Sequence, residues 1–230
     1  MNGTRMHGTP LDGLSVPDAH AHGAPEGNDT AFRLWNIGDP ACAVPETFFF
    51  SAGIHPWDAG KYDLASFAPL FDSPRCLAVG ECGLDRTSEA ALPLQTKVFE
   101  AQIAESLRRA KPLVVHCVRC FPELIRLKSS LPADAPDWVI HGFRGTKRKA
   151  FDLLDAGCVL SFGAGLLRDA GNMDYFTVIP LDRILIETDE SPELFDRILA
   201  EAAAMHLLSP SEFAAIVSTN FKRVFRHDPV

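Results

Sequence analysis

Eight short runs rich in β-branched, aromatic and other apolar residues recur from one end of the chain to the other: LSVPDAH, FRLWNIG, TFFFSAG, RCLAVGE, PLVVH, DWVIH, GCVLSFG and RILIETD. Between the later runs lie stretches with apolar residues at spacings of three and four, clearest over 95–110, 122–130 and 147–156, which predict helices. Strand–helix alternation implies a parallel sheet, because parallel neighbours need a crossover rather than a tight turn. Eight such strands with helices outside predict an α/β fold of the TIM-type (β/α)8 barrel class. The 230 residues are fewer than the roughly 250 such a barrel usually takes. The shortage falls at the start, where about fifteen residues separate the first two runs and only GDPACAVPE separates the next two. The first two outer helices are therefore expected to be shortened or missing. A homo-oligomer contact or the leading segment 1–13 would then cover that arc.

Beyond the last strand, SPELFDRILAEAAAMHLL and SPSEFAAIVSTNFKRVF read as two more helices. The second is announced by Ser209 as N-cap, Pro210 at the first helical position and Glu212 completing a capping box. No linker, low-complexity tract or repeat divides the sequence, so residues 1–230 are expected to form a single barrel domain. With 47% hydrophobic and 23% charged residues the chain has the composition of an ordinary folded protein. It has no run approaching the roughly 18 apolar residues of a membrane helix and no apparent leader, and a cytoplasmic location is expected. The six cysteines lie mostly in apolar runs, where reduced thiols behave as small hydrophobes.

The most informative pattern is where imidazoles and carboxyls fall. His20 and His22 close the first run, Glu81 the fourth, His116 the fifth, His141 the sixth and Asp189 the eighth. In a barrel all strand C-termini meet on one rim, so residues spread over about 170 positions converge there. Singly, each has an ordinary explanation: loop histidines at 20 and 22, a helix-start carboxylate at 81, core histidines at 116 and 141, an N-cap at 189. Together they are hard to dismiss. His20 and His22 share a strand face, so both rings can reach one ion, and a carboxylate in a buried run needs a positive partner.

Imidazole mixed with carboxylate selects Zn²⁺, Mn²⁺, Mg²⁺ or a related divalent ion over a thiolate site. Four histidines and two carboxylates exceed the three protein ligands of an open catalytic zinc, and two ions fit better. Glu81 would bridge, with His20, His22 and Asp189 on one ion, His116 and His141 on the other, and an acidified water between.

The motifs PDAHAHG, SAGIHPW, AVGECGLDR, QTKVFEAQIAESLRRAKPLVVHC, VIHGFRG, LSFGAG and ILIETDESP, in this order, resemble the TatD-type metal-dependent deoxyribonucleases of the amidohydrolase-like superfamily. The likeness spans roughly residues 16 to 225. It implies hydrolysis of DNA phosphodiesters at a two-metal site. His20, His22, Glu81, His116, His141 and Asp189 stand at the family's ligand positions, with Asp189 as general base beside Glu81. His55 matches a position that could bind phosphate or fix the turn before Pro56. The sequence departs from the pattern at Gly23 and Ala24, where an acidic residue is common, and at Arg119, offset from the usual phosphate-binding Arg. Glu190, Glu193 and Asp196 stand where a basic loop is usual.

Lys plus Arg is 22 against 30 for Asp plus Glu, a net charge of −8, so a nucleic-acid partner must be attracted by local charge. Arg144, Lys147, Arg148 and Lys149 in GFRGTKRK supply it next to His141, and Arg144 and Lys147 are expected to bind substrate. Asp85 is expected either to orient a ligand histidine or to pair with Arg86. Three other readings compete. The same metals could serve an amidohydrolase or phosphoesterase acting on a small metabolite. Cys117 and Cys120, spaced CxxC, could be a thioredoxin-like redox pair. Or the site could be a stabilising metal centre without activity.

Overall fold

The computed structural model describes residues 16–23, 32–168 and 173–228. Its eight strands are β1 (Asp18–Ala21), β2 (Arg33–Ile37), β3 (Phe49–Ala52), β4 (Cys76–Asp85), β5 (Leu113–Val118), β6 (Trp138–Ile140), β7 (Val159–Phe162) and β8 (Ile184–Ile186). They pair in sequence order and every pairing is parallel. The ring is sealed by a parallel bridge between Ala21 and Asp189, in which Asp189 N donates to His20 O at 3.0 Å and His22 N to Asp189 O at 2.8 Å. The result is a nearly closed barrel.

Strand side chains alternate, so residues two apart share a face. Leu34, Val114, Val139 and Leu185 belong to one buried cluster, and each stands two residues before a polar group: Asn36, His116, His141 and Glu187. The strands thus place an apolar layer beneath a polar one. Phe221, Val224 and Phe225 join the apolar layer from the last helix. The opposite strand faces build a second, larger core against the outer helices.

Those helices are α1 (Ala68–Asp72), α2 (Leu92–Arg109), α3 (Phe121–Ser129), α4 (Lys147–Asp155), α5 (Gly165–Arg168), α6 (Phe195–Met205) and α7 (Pro210–Phe225). The three central helices lie within a few residues of their predicted bounds. The expected capping box opens α7, with Glu212 N donating to Ser209 Oγ and Ser209 N to Glu212 Oε2. Pro192 starts a separate 3-10 turn, Pro192–Leu194, so α6 begins later than the apolar pattern suggested. No helix occurs in the β2–β3 connection, residues 38–48, as expected. The expectations for the first connection and the leading segment fall on 24–31 and 1–13, outside the described residues. Helices return between β3 and β4, with 3-10 turns at Pro56–Asp58 and Leu64–Phe67 running into α1. No helix of the described residues is long and apolar enough to cross a membrane.

Two strands run beyond their predicted ends. β4 continues past Glu81 to Asp85, and β5 past His116 to Val118, pairing Gly83 with His116 and Asp85 with Val118. Gly83, at φ +142°, permits this, because a Cβ there would collide with the His116 carbonyl.

A candidate metal centre at the barrel mouth

Glu81 is buried, and five imidazoles reach it. Its Oε2 lies 3.2 Å from His22 Nε2 and 3.5 Å from His20 Nε2. Its Oε1 lies 2.7 Å from His141 Nε2, 2.9 Å from His116 Nδ1 and 3.3 Å from His55 Nε2. His20 and His22 bring their Nε2 atoms within 3.1 Å of each other, and Asp189 Oδ1 is 3.4 Å from His22 Nε2. Two ligand atoms bound tetrahedrally at about 2.1 Å stand roughly 3.4 Å apart, so these separations suit shared cations. Three donor sets have all their atoms within 4.8 Å of one another: His20, His22 and Glu81; His20, His141 and Asp189; His55, Glu81 and His116. All six residues expected as ligands meet here, drawn from five strand ends.

Burial pushes the Glu81 carboxyl up, but the charge on His141 and hydrogen bonds from His116, His141 and His20 hold it well below the usual carboxylate range. Burial pushes His141 down, yet Glu81 and Glu187 raise it well above an ordinary histidine. His22 is raised by its hydrogen bond to Glu81. An ionised carboxylate ringed by convergent ring nitrogens is stable only when protons or cations lie between them.

The outer nitrogens fix which lone pairs face inward. His116 Nε2 lies 3.1 Å from Asp85 Oδ2, a carboxylate that also accepts from Trp57 Nε1 at 2.7 Å and from Thr87 N and Oγ1 at 2.7 and 2.6 Å. Burial pushes Asp85 up, but the bonds from Thr87, Trp57 and His116 bring it down to about 2. An ionised Asp85 keeps a hydrogen on His116 Nε2, so in the neutral ring Nδ1 turns a bare lone pair toward Glu81, as a ligand to a cation between them requires. Arg86 pairs with Glu123 instead, so Asp85 takes the orienting role of the two expected for it. His141 Nδ1 lies 3.5 Å from Glu187 Oε1, which accepts from Gly142 N. His55 differs. Its Nδ1 accepts from Trp57 N at 3.2 Å, so in the neutral ring Nε2 carries the hydrogen, which suits a hydrogen-bond donor better than a metal ligand.

Three amides hold this layer. Asn36 Oδ1 accepts from Glu81 N at 2.8 Å, and its Nδ2 donates to Glu81 Oε2 at 3.4 Å. Helix α2 presents two buried glutamines two turns apart. Gln95 bonds both the N–H and the C=O of Asp85, and Gln102 bonds both backbone groups of Ile54, next to His55. Sequence reasoning missed Asn36, Gln95, Gln102 and Glu187. A glutamine recurring at i and i+7 on the face shared with Phe99 and Ile103 was the available signal.

Asp189, 45% exposed, takes a left-handed backbone at φ +57° and is not a helix cap; Ser191 stands at that position. Beside it opens a cavity of about 190 Å³ lined by Arg144, Arg168, Gly163, Glu187 and Glu190. Arg168 was not anticipated. Lys147 is exposed on the first turn of α4 and does not line this cavity, Arg148 reaches Asp152, and Lys149 lies over the Phe121 ring. Cys117 and Cys120 are free thiols. Burial pushes Cys117 up to about 12 and raises Cys120 as well, the reverse of an acidified redox pair.

The family described as TatD related DNase matches residues 33–226. A 3'-5' ssDNA/RNA exonuclease TatD from Edwardsiella piscicida is 33% identical over 164 residues, covering 68% of this chain and 63% of that one. The protein of the same name from Pectobacterium atrosepticum is 28% identical over 184 residues, covering 77% of this chain and 70% of the other. Among solved structures, the TatD homologue YJJV from Escherichia coli superposes with a TM-score of 0.80 at 20% identity, covering 93% of this chain and 99% of that one. A hydrolase TatD family protein from Entamoeba histolytica gives 0.69 at 18% identity, with 77% and 74% covered.

Proposed function

Because the chain belongs to the TatD-related DNase family, we propose that it is a metal-dependent hydrolase that cleaves phosphodiester bonds in nucleic acid, single-stranded DNA foremost. The observation that carries this reading is the convergence of His20, His22, His116, His141 and Asp189 on the buried Glu81 carboxylate. The names of the relatives point the same way.

His20, His22 and Asp189 would hold one divalent ion, His116 and His141 the other, with Glu81 shared. Zn²⁺, Mn²⁺ and Mg²⁺ are the candidates. Bound there, such ions supply Lewis acidity at the phosphoryl group and acidify water at neutral pH. The chain's own residues do the rest. Asp189, half exposed at the mouth, accepts the proton of the attacking water. His55 donates from Nε2 to a phosphate oxygen. Arg144 and Arg168 neutralise substrate phosphate from the cavity wall, and Lys147 adds long-range attraction from α4. Asp85 and Glu187 keep the His116 and His141 rings in the orientation and tautomer that face Glu81.

The test is a labelled single-stranded oligonucleotide incubated with the purified protein after chelation and after addition of each metal, with elemental analysis alongside. Cleavage abolished by chelator and restored by Mn²⁺ or Mg²⁺, with about two ions per chain, is the expected result. Product length separates exonucleolytic trimming from internal cutting. Chromogenic amide and phosphomonoester substrates run in parallel, because Glu190 in the cavity lining suits a less anionic substrate. Turnover of those with none of the oligonucleotide under any metal overturns the nuclease reading.

A further inference from the structure

Trp57 is 64% exposed, the one aromatic among the large hydrophobic side chains exposed in the described residues. It is not loosely held. Its backbone N–H is bound to His55 Nδ1, Pro56 fixes the preceding φ, and Gln102 clamps Ile54 just upstream. Its indole N–H is bound to Asp85 at 2.7 Å. The ring centroid lies 5.1 Å from that of His55 and 6.4 Å from that of His116, so a fixed, solvent-facing indole stands directly beside the candidate metal centre.

We propose that Trp57 is a base-stacking platform: it takes the nucleobase adjacent to the phosphate that accepts from His55 at the mouth of the candidate metal centre. The inference rests on the nuclease reading above and adds the part of the substrate that site must recognise. A base sits one sugar away from its phosphate, and Trp57 is the immediate neighbour of the residues that would hold that phosphate. Every base offers a π-face, so the platform favours unpaired strands without choosing sequence, whereas a duplex keeps its bases stacked on each other. The two bonds that immobilise the indole reduce the ordering cost of stacking.

The experiment compares a short single strand with the same strand carrying an abasic site at the terminal nucleotides, in the Mn²⁺-loaded wild type, Trp57→Leu and Trp57→Phe. Wild type is expected to prefer the base-bearing strand in kcat/KM by about tenfold, toward the lower end of the stacking contribution for one base. That preference should disappear in Trp57→Leu and persist in Trp57→Phe, which keeps a π-face but loses the N–H to Asp85. If Phe and Leu are equally impaired on both strands, the indole only pins Asp85 and the platform is overturned. Fluorescence gives a second readout. Trp35 and Trp138 are buried, so acrylamide-accessible emission comes from Trp57, and base-bearing strand should shield it while abasic strand does not. Cleavage with no base preference and no shielding sinks the platform alone; no cleavage of either strand sinks the nuclease reading and the platform with it.

Discussion

The two sides of the barrel mouth hold their donors by different means. On the β1/β8 side, His20, His22 and Asp189 are set by backbone: the seam bonds between Asp189 and residues 20 and 22 fix the chain, and His20 Nδ1 has no hydrogen-bond partner among the described residues. On the β4–β6 side each ring has a carboxylate behind it: Asp85 hydrogen-bonds His116, and Glu187 lies 3.5 Å from His141 Nδ1, which like His20 Nδ1 has no hydrogen-bond partner among the described residues, while Gln95 and Asn36 brace β4. Two donors of the first side are also more open, His22 at 35% and Asp189 at 45% exposed against 15% for His116 and 9% for His141, while His20 beneath them is fully buried. Backbone fixes where a ring stands; only a second polar group fixes which of its nitrogens faces inward.

The largest effect should come from the residue common to both sides. Glu81→Gln is expected to lower phosphodiester hydrolysis by at least about a thousandfold, ~4 kcal/mol in the barrier, and to reduce bound metal on elemental analysis. Near-normal turnover would remove Glu81 from the centre and dissolve the comparison. Asp85→Asn and Glu187→Gln should each weaken metal binding by about 10- to 100-fold in a competitive chelator titration, and the ion lost first should be the one on the β4–β6 side. If both ions weaken together, the two sides are one unit and the distinction fails.

Next is the brace itself. Gln102→Ala strips both backbone groups of Ile54 of their partners and should cost about 1–3 kcal/mol in denaturant unfolding. A loss under half a kcal/mol would mean that water replaces the amide and that the β3 loop is not held from α2. The smallest effect is chemical. Burial pushes Cys117 and Cys158 up to about 12, so at pH 8 both remain neutral thiols, whereas Cys42 is exposed in the helix-free β2–β3 connection. Mass spectrometry after brief alkylation of the native protein should find Cys42 modified and those two untouched. Rapid labelling of Cys117 would show β5 opening and weaken the contrast from the other direction.

The same contrast explains what could be read in advance. The HxH at 20 and 22, the carboxylate after AVG and the histidines ending two apolar runs are legible because strand periodicity and the barrel rim convert spacing into convergence. Asp85 was legible only as an alternative, since its choice between His116 and Arg86 depends on β4 running four residues farther than its apolar run suggested. Asn36 and Glu187 carry no local signal of a site, and Gln102 carries only its recurrence seven residues after Gln95. They act across 45, 46 and 48 residues of sequence, on Glu81, His141 and Ile54, and an amide or carboxyl in an apolar pattern looks like an interruption until its partner is placed. Arg168 was missed and Lys147 expected in its place for a related reason: proximity to His141 in sequence is not proximity to the cavity beside Asp189.

Asp189 seals the ring with its backbone and faces His22 with its carboxylate. A chain still leaving the ribosome therefore carries the imidazoles of its first strand long before it has the residue that completes them, and catalytic competence must wait for the last strand to dock on the first.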